Sequence, residues 1–123
     1  MARSTRRSLY QAIGGAPVLE KVVDAFYLRV LGNARLAAFF AHTDLEELKR
    51  HQREFLGLVL HGPEQYTGRS MHEAHAGRGI TAADFDRMLI YFNEAFAIAG
   101  VPEPLVARAL AAVAPYRQEI VAQ

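Results

Sequence analysis

Apolar residues recur along this chain every three or four positions and do not alternate one by one, so the pattern predicts helices and no strands. Ser8 to Ile13 reads as one short helical turn, halted by Gly14-Gly15. Pro17 opens a helix through about Leu31, with Val18, Val22, Val23, Phe26, Val30 and Leu31 on one face. Gly32-Asn33 stops it, and a brief turn carries Leu36 and the pair Phe39-Phe40. Thr43 or Asp44 caps the next helix, which runs to about Leu60 on a stripe of Leu45, Leu48, Gln52, Phe55, Leu56 and Val59. His61-Gly62-Pro63 ends it, and a loop through Gly68 leads to a short, glycine-flanked segment. Thr81 then caps a long helix bearing Phe85, Met88, Leu89, Phe92 and Phe96, stopped at Gly100. The last helix starts near Pro102 or Pro104 and carries Leu105, Ala109, Leu110, Val113, Tyr116 and Ile120. Pro115 removes a backbone donor inside it and should bend it. The expectation is an all-α fold with four substantial helices.

At 123 residues the chain suits one domain rather than two. Half of it (51%) is apolar and twelve residues are aromatic, enough for a real core. No run approaches the roughly 20 apolar residues that span a bilayer, so stable membrane insertion is not expected. The start shows charge with no apolar stretch or cleavage site behind it, which argues against a secretory leader. Cysteine is absent, which excludes disulfides and thiolate chemistry and fits a cytoplasmic setting. Lys and Arg number 14 against 13 Asp and Glu. Arg3, Arg6 and Arg7 crowd the first seven positions, and without them the body is slightly acidic. Nucleic acid is therefore not an expected partner, because a binder of this size carries a broad basic face. Residues 1–8 read as a basic, mobile extension and 9–123 as one domain.

Two residues stand out chemically. His75 sits in Ser70-Met71-His72-Glu73-Ala74-His75-Ala76-Gly77-Arg78-Gly79-Ile80-Thr81. A turn closed by Gly77 and Gly79 can bring an imidazole close to something flat, such as a haem whose iron takes one ring nitrogen. A surface histidine in a loop fits the same residues. Glu73 is followed by one residue before His75, not two, so the zinc motif H-E-x-x-H is not met. The other anomaly is Gln52, an amide in the middle of an apolar stripe. Tyr27 lies beside the apolar face of its own helix, and a buried phenol or amide left unpaired costs on the order of 1–3 kcal/mol. The economical arrangement joins the two, or joins both to a small ligand. His51, rotated by about 100° from Gln52, lies at the border of the stripe. It can meet a carboxylate at a rim, swing in as a metal ligand, or stay in solvent. His42 and His61 flank helix ends and read as surface residues. Phe39, Phe40, Phe55, Phe85, Phe92 and Phe96 serve as core, with room among them for a large flat partner.

An ordered set of segments now carries a resemblance from about Leu9 to Val121. They are Leu9-Tyr10-Gln11-Ala12-Ile13-Gly14-Gly15, Phe26-Tyr27-Leu28-Arg29-Val30-Leu31 and Phe39-Phe40. Then follow Leu48-Lys49-Arg50-His51-Gln52-Arg53-Glu54-Phe55, Gly62-Pro63-Glu64-Gln65-Tyr66-Thr67-Gly68, Met71 through Phe85, and Ala99-Gly100-Val101-Pro102. Together they resemble the group I truncated haemoglobins. The resemblance implies a truncated globin-like two-over-two helical sandwich around a non-covalent haem b. It implies that His75 is the proximal iron ligand and that Phe40 packs on the porphyrin. It makes Tyr27 and Gln52 the distal hydrogen-bonding pair, beside Leu48 and Phe55. Thr43, His51 and Arg78 would stand near the propionates, and Met71, Ile80, Phe85 and Leu89 would line the proximal side.

Three positions matter for where the chain stands within the family, the last two as departures. Some members place a sixth iron ligand at the position of His51. Members that attach haem covalently use a histidine in the last helix, and Ala112 to Arg117 contains none. Leu56 falls where some members have a phenylalanine that gates an apolar tunnel, which leaves gating of that kind without its residue. The resemblance implies reversible binding of O2, CO and NO at ferrous iron, with nitric oxide dioxygenation to nitrate supported by a reductase not identified by sequence. The alternative is a hexacoordinate haem protein, with His51 and His75 both on iron, suited to electron transfer, redox or gas sensing, or peroxide and nitrite chemistry. A haem-free helical module is the remaining reading.

Overall fold

The computed structural model describes residues 8–62 and 79–117. Its helices are α1 (Leu9–Ile13), α2 (Gly15–Leu31), α3 (Ala34–Ala38), α4 (Leu45–Val59), α5 (Ala82–Ile98) and α6 (Glu103–Val113). A 3-10 turn, Ala114–Tyr116, follows, and no strand occurs among the described residues. α2 packs on both α4 and α5, while α6 packs on α5 and α1. This two-over-two arrangement puts the α2 stripe at the centre.

Local chemistry sets the helix ends. Ser8 Oγ accepts from the Gln11 amide, and Gln11 Oε1 accepts from the Ser8 amide, each at 3.1 Å. That reciprocal cap satisfies two donors a helix start otherwise leaves open. Asn33 caps α3 through Leu36 N at 3.2 Å, and its Nδ2 donates to Tyr91 Oη on α5 at 3.1 Å. Asp44 accepts from the amides of Glu46 and Glu47, whose own acidic side chains suit the positive end of α4.

The C-termini of α4 and α5 share one device. Gly62 N donates to Gly57 O (2.6 Å) and His61 N to Leu58 O (3.1 Å). Val101 N donates to Phe96 O and Gly100 N to Ala97 O, both at 3.0 Å. Each is a Schellman closure around a left-handed residue. After α5 that residue is Gly100 (φ 86°); after α4 it is His61 (φ 65°).

Leu19, Val22, Val23, Phe26, Tyr27 and Val30 form the buried stripe of α2 at helical spacing. Phe26 stacks on Phe92 of α5 with centroids 3.8 Å apart and planes 11° from parallel. Leu36, Leu56, Leu60 and Phe96 are fully buried around them. Tyr10 N donates to Leu60 O (2.9 Å), tying α1 to the end of α4.

Four sequence expectations need correction. α2 begins at Gly15, not Pro17, because a proline within the first turn gives up only a donor that has no intrahelical partner there. Leu31, the last residue of α2, is 43% exposed although it lies one turn beyond buried Tyr27. The turn bearing Leu36 is a capped helix, α3. The last α-helix does not bend through Pro115; it ends at Val113 and tightens into the 3-10 turn. No helix among the described residues is long and apolar enough to cross a membrane.

Candidate functional site

Tyr27 projects from the α2 stripe and is 2% exposed. Leu48, Gln52 and Phe55 follow one another along α4 at spacings of four and three, so they share the face turned to α2. The sequence pairing is met: Tyr27 Oη lies 3.4 Å from Gln52 Oε1 in a partly buried position. Phe40 stands edge-on to the Tyr27 ring, centroids 5.9 Å apart and planes at 90°. Leu48 is half-buried against the same core. The phenol and amide are thus held by apolar neighbours on two helices and a turn.

Ile80 and Phe85 form a second, smaller buried cluster with Phe39, Met88, Leu89 and Tyr116 packed against it. Phe39, Met88 and Leu89 touch the main core as well, so they join the two clusters. Phe55 is buried and meets Tyr116 in a T-shaped contact with centroids 4.9 Å apart. The sequence reading did not place Tyr116 here, and its place in the last helical stripe was the available signal.

Of the other expected residues, Thr43 is exposed, its amide donating to Phe40 O at 3.2 Å. His51 is half-buried at the border of the stripe, with Nε2 3.3 Å from Arg50 Nη2. His42 and His61 are exposed. Met71, His75 and Arg78 lie outside the described residues.

Sequence reasoning placed the cap of α5 at Thr81 but missed the role of Asp84 beside it. Asp84 is a buried acid, the other buried side chains among the described residues being apolar or tyrosine, and Arg35 of α3 reaches it with two bonds, Nε–Oδ1 at 2.6 Å and Nη2–Oδ2 at 2.8 Å. Asp84 completes a capping box with Thr81, its Oδ2 accepting from Thr81 N at 3.0 Å and its N donating to Thr81 Oγ1 at 3.1 Å. The Arg35 guanidinium holds the Asp84 carboxyl well below the usual carboxylate range, against burial, which pushes it up, and with help from Thr81. The spacing Thr81-x-x-Asp84 announces the cap; nothing in sequence announces a partner 49 residues away.

In chemical type these side chains suit a flat apolar group with a polar guest on one face. Phe40, Leu48, Ile80, Phe85 and Leu89 supply apolar surface, and Tyr27 with Gln52 supplies one donor-acceptor pair. Among the described residues no group of three or more His, Cys, Asp or Glu could hold a bare metal ion. A metal carried inside a prosthetic group, needing a single protein ligand such as His75, meets the donor set better.

The bacterial-like globin family model matches residues 8–122. The group 1 truncated hemoglobin GlbN of Mycolicibacterium paratuberculosis is 43% identical over 113 residues, which is 92% of this chain and 83% of that protein. The truncated hemoglobin of Tetrahymena pyriformis in its Fe(III) form superposes with a TM-score of 0.90 at 27% identity, covering 95% of this chain and all of that one. A Synechococcus 2/2 hemoglobin, in the cyanomet state and with covalently attached heme, gives 0.86 at 29% identity over 94% and 98% of the two chains. With its helical order, its Tyr27–Gln52 pair and these likenesses, the chain belongs to the group 1 truncated haemoglobins, a globin family with a haem-binding, gas-binding role.

Proposed function

We propose that the chain holds a non-covalent b-type haem through His75 and binds O2 reversibly at ferrous iron, in support of nitric oxide dioxygenation. Bound haem would supply an iron at which O2, nitric oxide and one electron end as nitrate, the electron coming from an external reductase. The single observation behind this reading is the partly buried Tyr27–Gln52 contact at 3.4 Å among apolar neighbours.

A phenol has one proton to give. Pointed at Gln52 Oε1 it serves the amide, but 3.4 Å is a long, weak bond that a guest with partial negative charge can outbid. A half-turn of the Gln52 side-chain amide presents an N–H to Tyr27 Oη, and amide orientation is set by the network around it. Tyr27 then donates to the guest while Gln52 donates to Tyr27. In a low-dielectric pocket such a relay strengthens both bonds. Slow release of O2 follows, which suits chemistry on the bound gas better than transport.

Apolar walls keep water from competing for that proton. Ala112 to Arg117 offers no histidine for covalent attachment, which supports a haem held by packing and a single ligand. His51, whose Nε2 lies 3.3 Å from Arg50 Nη2, is assigned here to the edge of the haem and not to its iron. The test mixes the O2-loaded ferrous protein with nitric oxide. One nitrate per nitric oxide is expected; nitrite or unreacted nitric oxide would remove the dioxygenase reading.

A further inference from the structure

The start of α5 is gripped by two arginines from opposite sides of the chain. Arg35, on α3, forks onto Asp84 and lies over the Phe39 ring at 5.8 Å. Arg117, just after the 3-10 turn, bonds Asp86 Oδ1 through Nη1 at 2.6 Å and lies over the Phe85 ring at 5.2 Å. Each arginine therefore pairs with an acid near the start of α5 and covers a phenylalanine of the Ile80–Phe85 cluster. The two grips differ in kind. Asp84 is 6% exposed in its side chain and takes two parallel bonds; Asp86 is 60% exposed and takes one. A planar fork fixes orientation as well as distance, whereas an exposed single contact contributes little.

The two walls of the site belong to separate clusters. The Tyr27 wall is part of the main core, and Ile80 and Phe85 form the other. Arg35 sits on the short helix that leads into Phe39-Phe40, and Asp84 sits on the first turn of the helix that carries Phe85 and Leu89. Their fork is thus a charged tie spanning the elements that carry both walls.

We infer that Arg35 is a positioning residue for the haem: its fork on Asp84 sets how far the Ile80–Phe85 wall stands from the Phe40–Tyr27 wall. This rests on the haem reading above. A wall free to shift changes the seat of the haem relative to Tyr27 and lets the group leave faster. Arg35 touches neither the gas nor the iron in this account; it acts through Asp84, Phe39 and Phe85.

The test compares wild type, Arg35→Gln, Arg35→Lys and Arg117→Gln, each loaded with haem. Two quantities are read: haem loss to an apomyoglobin acceptor, and the C–O stretch of the ferrous carbonyl form, which senses donors near the ligand. Arg35→Gln is expected to lose haem about 3- to 30-fold faster and to shift or split the C–O band. Arg35→Lys, with charge but no fork, should fall between it and wild type. Arg117→Gln should change haem loss by less than about twofold. Val113→Ala, a core truncation on α6, supplies the comparison for general destabilisation, and its C–O band should stay in place. Haem loss and C–O bands in Arg35→Gln equal to wild type would overturn the inference, as would the same band shift in Val113→Ala. A wild-type chain that takes up no haem would overturn this inference and the haem reading together, and so is distinguishable from failure of the inference alone.

Discussion

Tyr27 Oη and Gln52 Oε1, from different helices and 25 residues apart, stand 3.4 Å from one another on the enclosed face between α2 and α4. The distance is long for a hydroxyl–carbonyl bond, so the amide steers the phenol without capturing it. Gln52→Leu keeps the bulk and removes the steering. The O2 dissociation rate of that variant is expected to rise by about 2- to 10-fold, the worth of one neutral hydrogen bond of roughly 0.5–1.5 kcal/mol. Stopped-flow replacement of O2 by CO measures it.

His51 gives a spectroscopic prediction. Its half-buried ring lies with Nε2 3.3 Å from Arg50 Nη2, and we assign it no place on iron. The dithionite-reduced protein should show one broad visible band, the mark of an open site, and His51→Ala should leave it in place. Split visible bands that collapse in His51→Ala would establish the six-coordinate alternative.

The buried acid makes stability depend on pH in a definite direction. Asp84 has its pKa depressed in the folded chain, first by Arg35 and then by Thr81. Its contribution is therefore full above the unfolded value, ordinarily about 3.9, and is lost as pH falls through the lower folded value. Unfolding midpoints of wild type should fall steeply as pH drops below about 4. Asp84→Asn should be less stable near neutrality and lose less on acidification, and parallel curves for the two would contradict the assignment.

Two neighbours at the end of α4 should respond with opposite signs. His61 holds a left-handed backbone (φ 65°) at the place where Gly100 serves α5. His61→Gly is expected to stabilise by about 1 kcal/mol, since a Cβ is penalised there and glycine is not. Gly62→Ala would drive a Cβ into the ring of Tyr10. It should cost roughly 1–3 kcal/mol, as overpacking does. Thermal unfolding of both apoproteins reads the two effects side by side.

The sequence made most of this legible where a residue acts through near neighbours. The caps at Asp44 and Thr81, the stops at Gly14 and Gly100, and the α2 stripe follow from spacing and backbone preference alone. Gln52 was legible as a polar intruder on an apolar face, and Tyr27 as its partner through the cost of leaving either unpaired. Long-range relations were not. Arg35 and Asp84 look like two more surface charges until folding brings them together across 49 residues. Tyr116 reads as one more stripe residue, and only packing shows it against Phe55. Leu31 shows the opposite failure, since helical spacing cannot tell where a partner helix ends.

The most direct test of the account is the O2 dissociation rate of the ferrous, haem-loaded protein before and after Tyr27→Phe. A hydrogen bond to a partially charged acceptor is worth roughly 1.5–3 kcal/mol, so the rate should rise about 10- to 150-fold with haem content and folding intact. A rate unchanged by Tyr27→Phe would contradict the central claim that this phenol holds the bound gas.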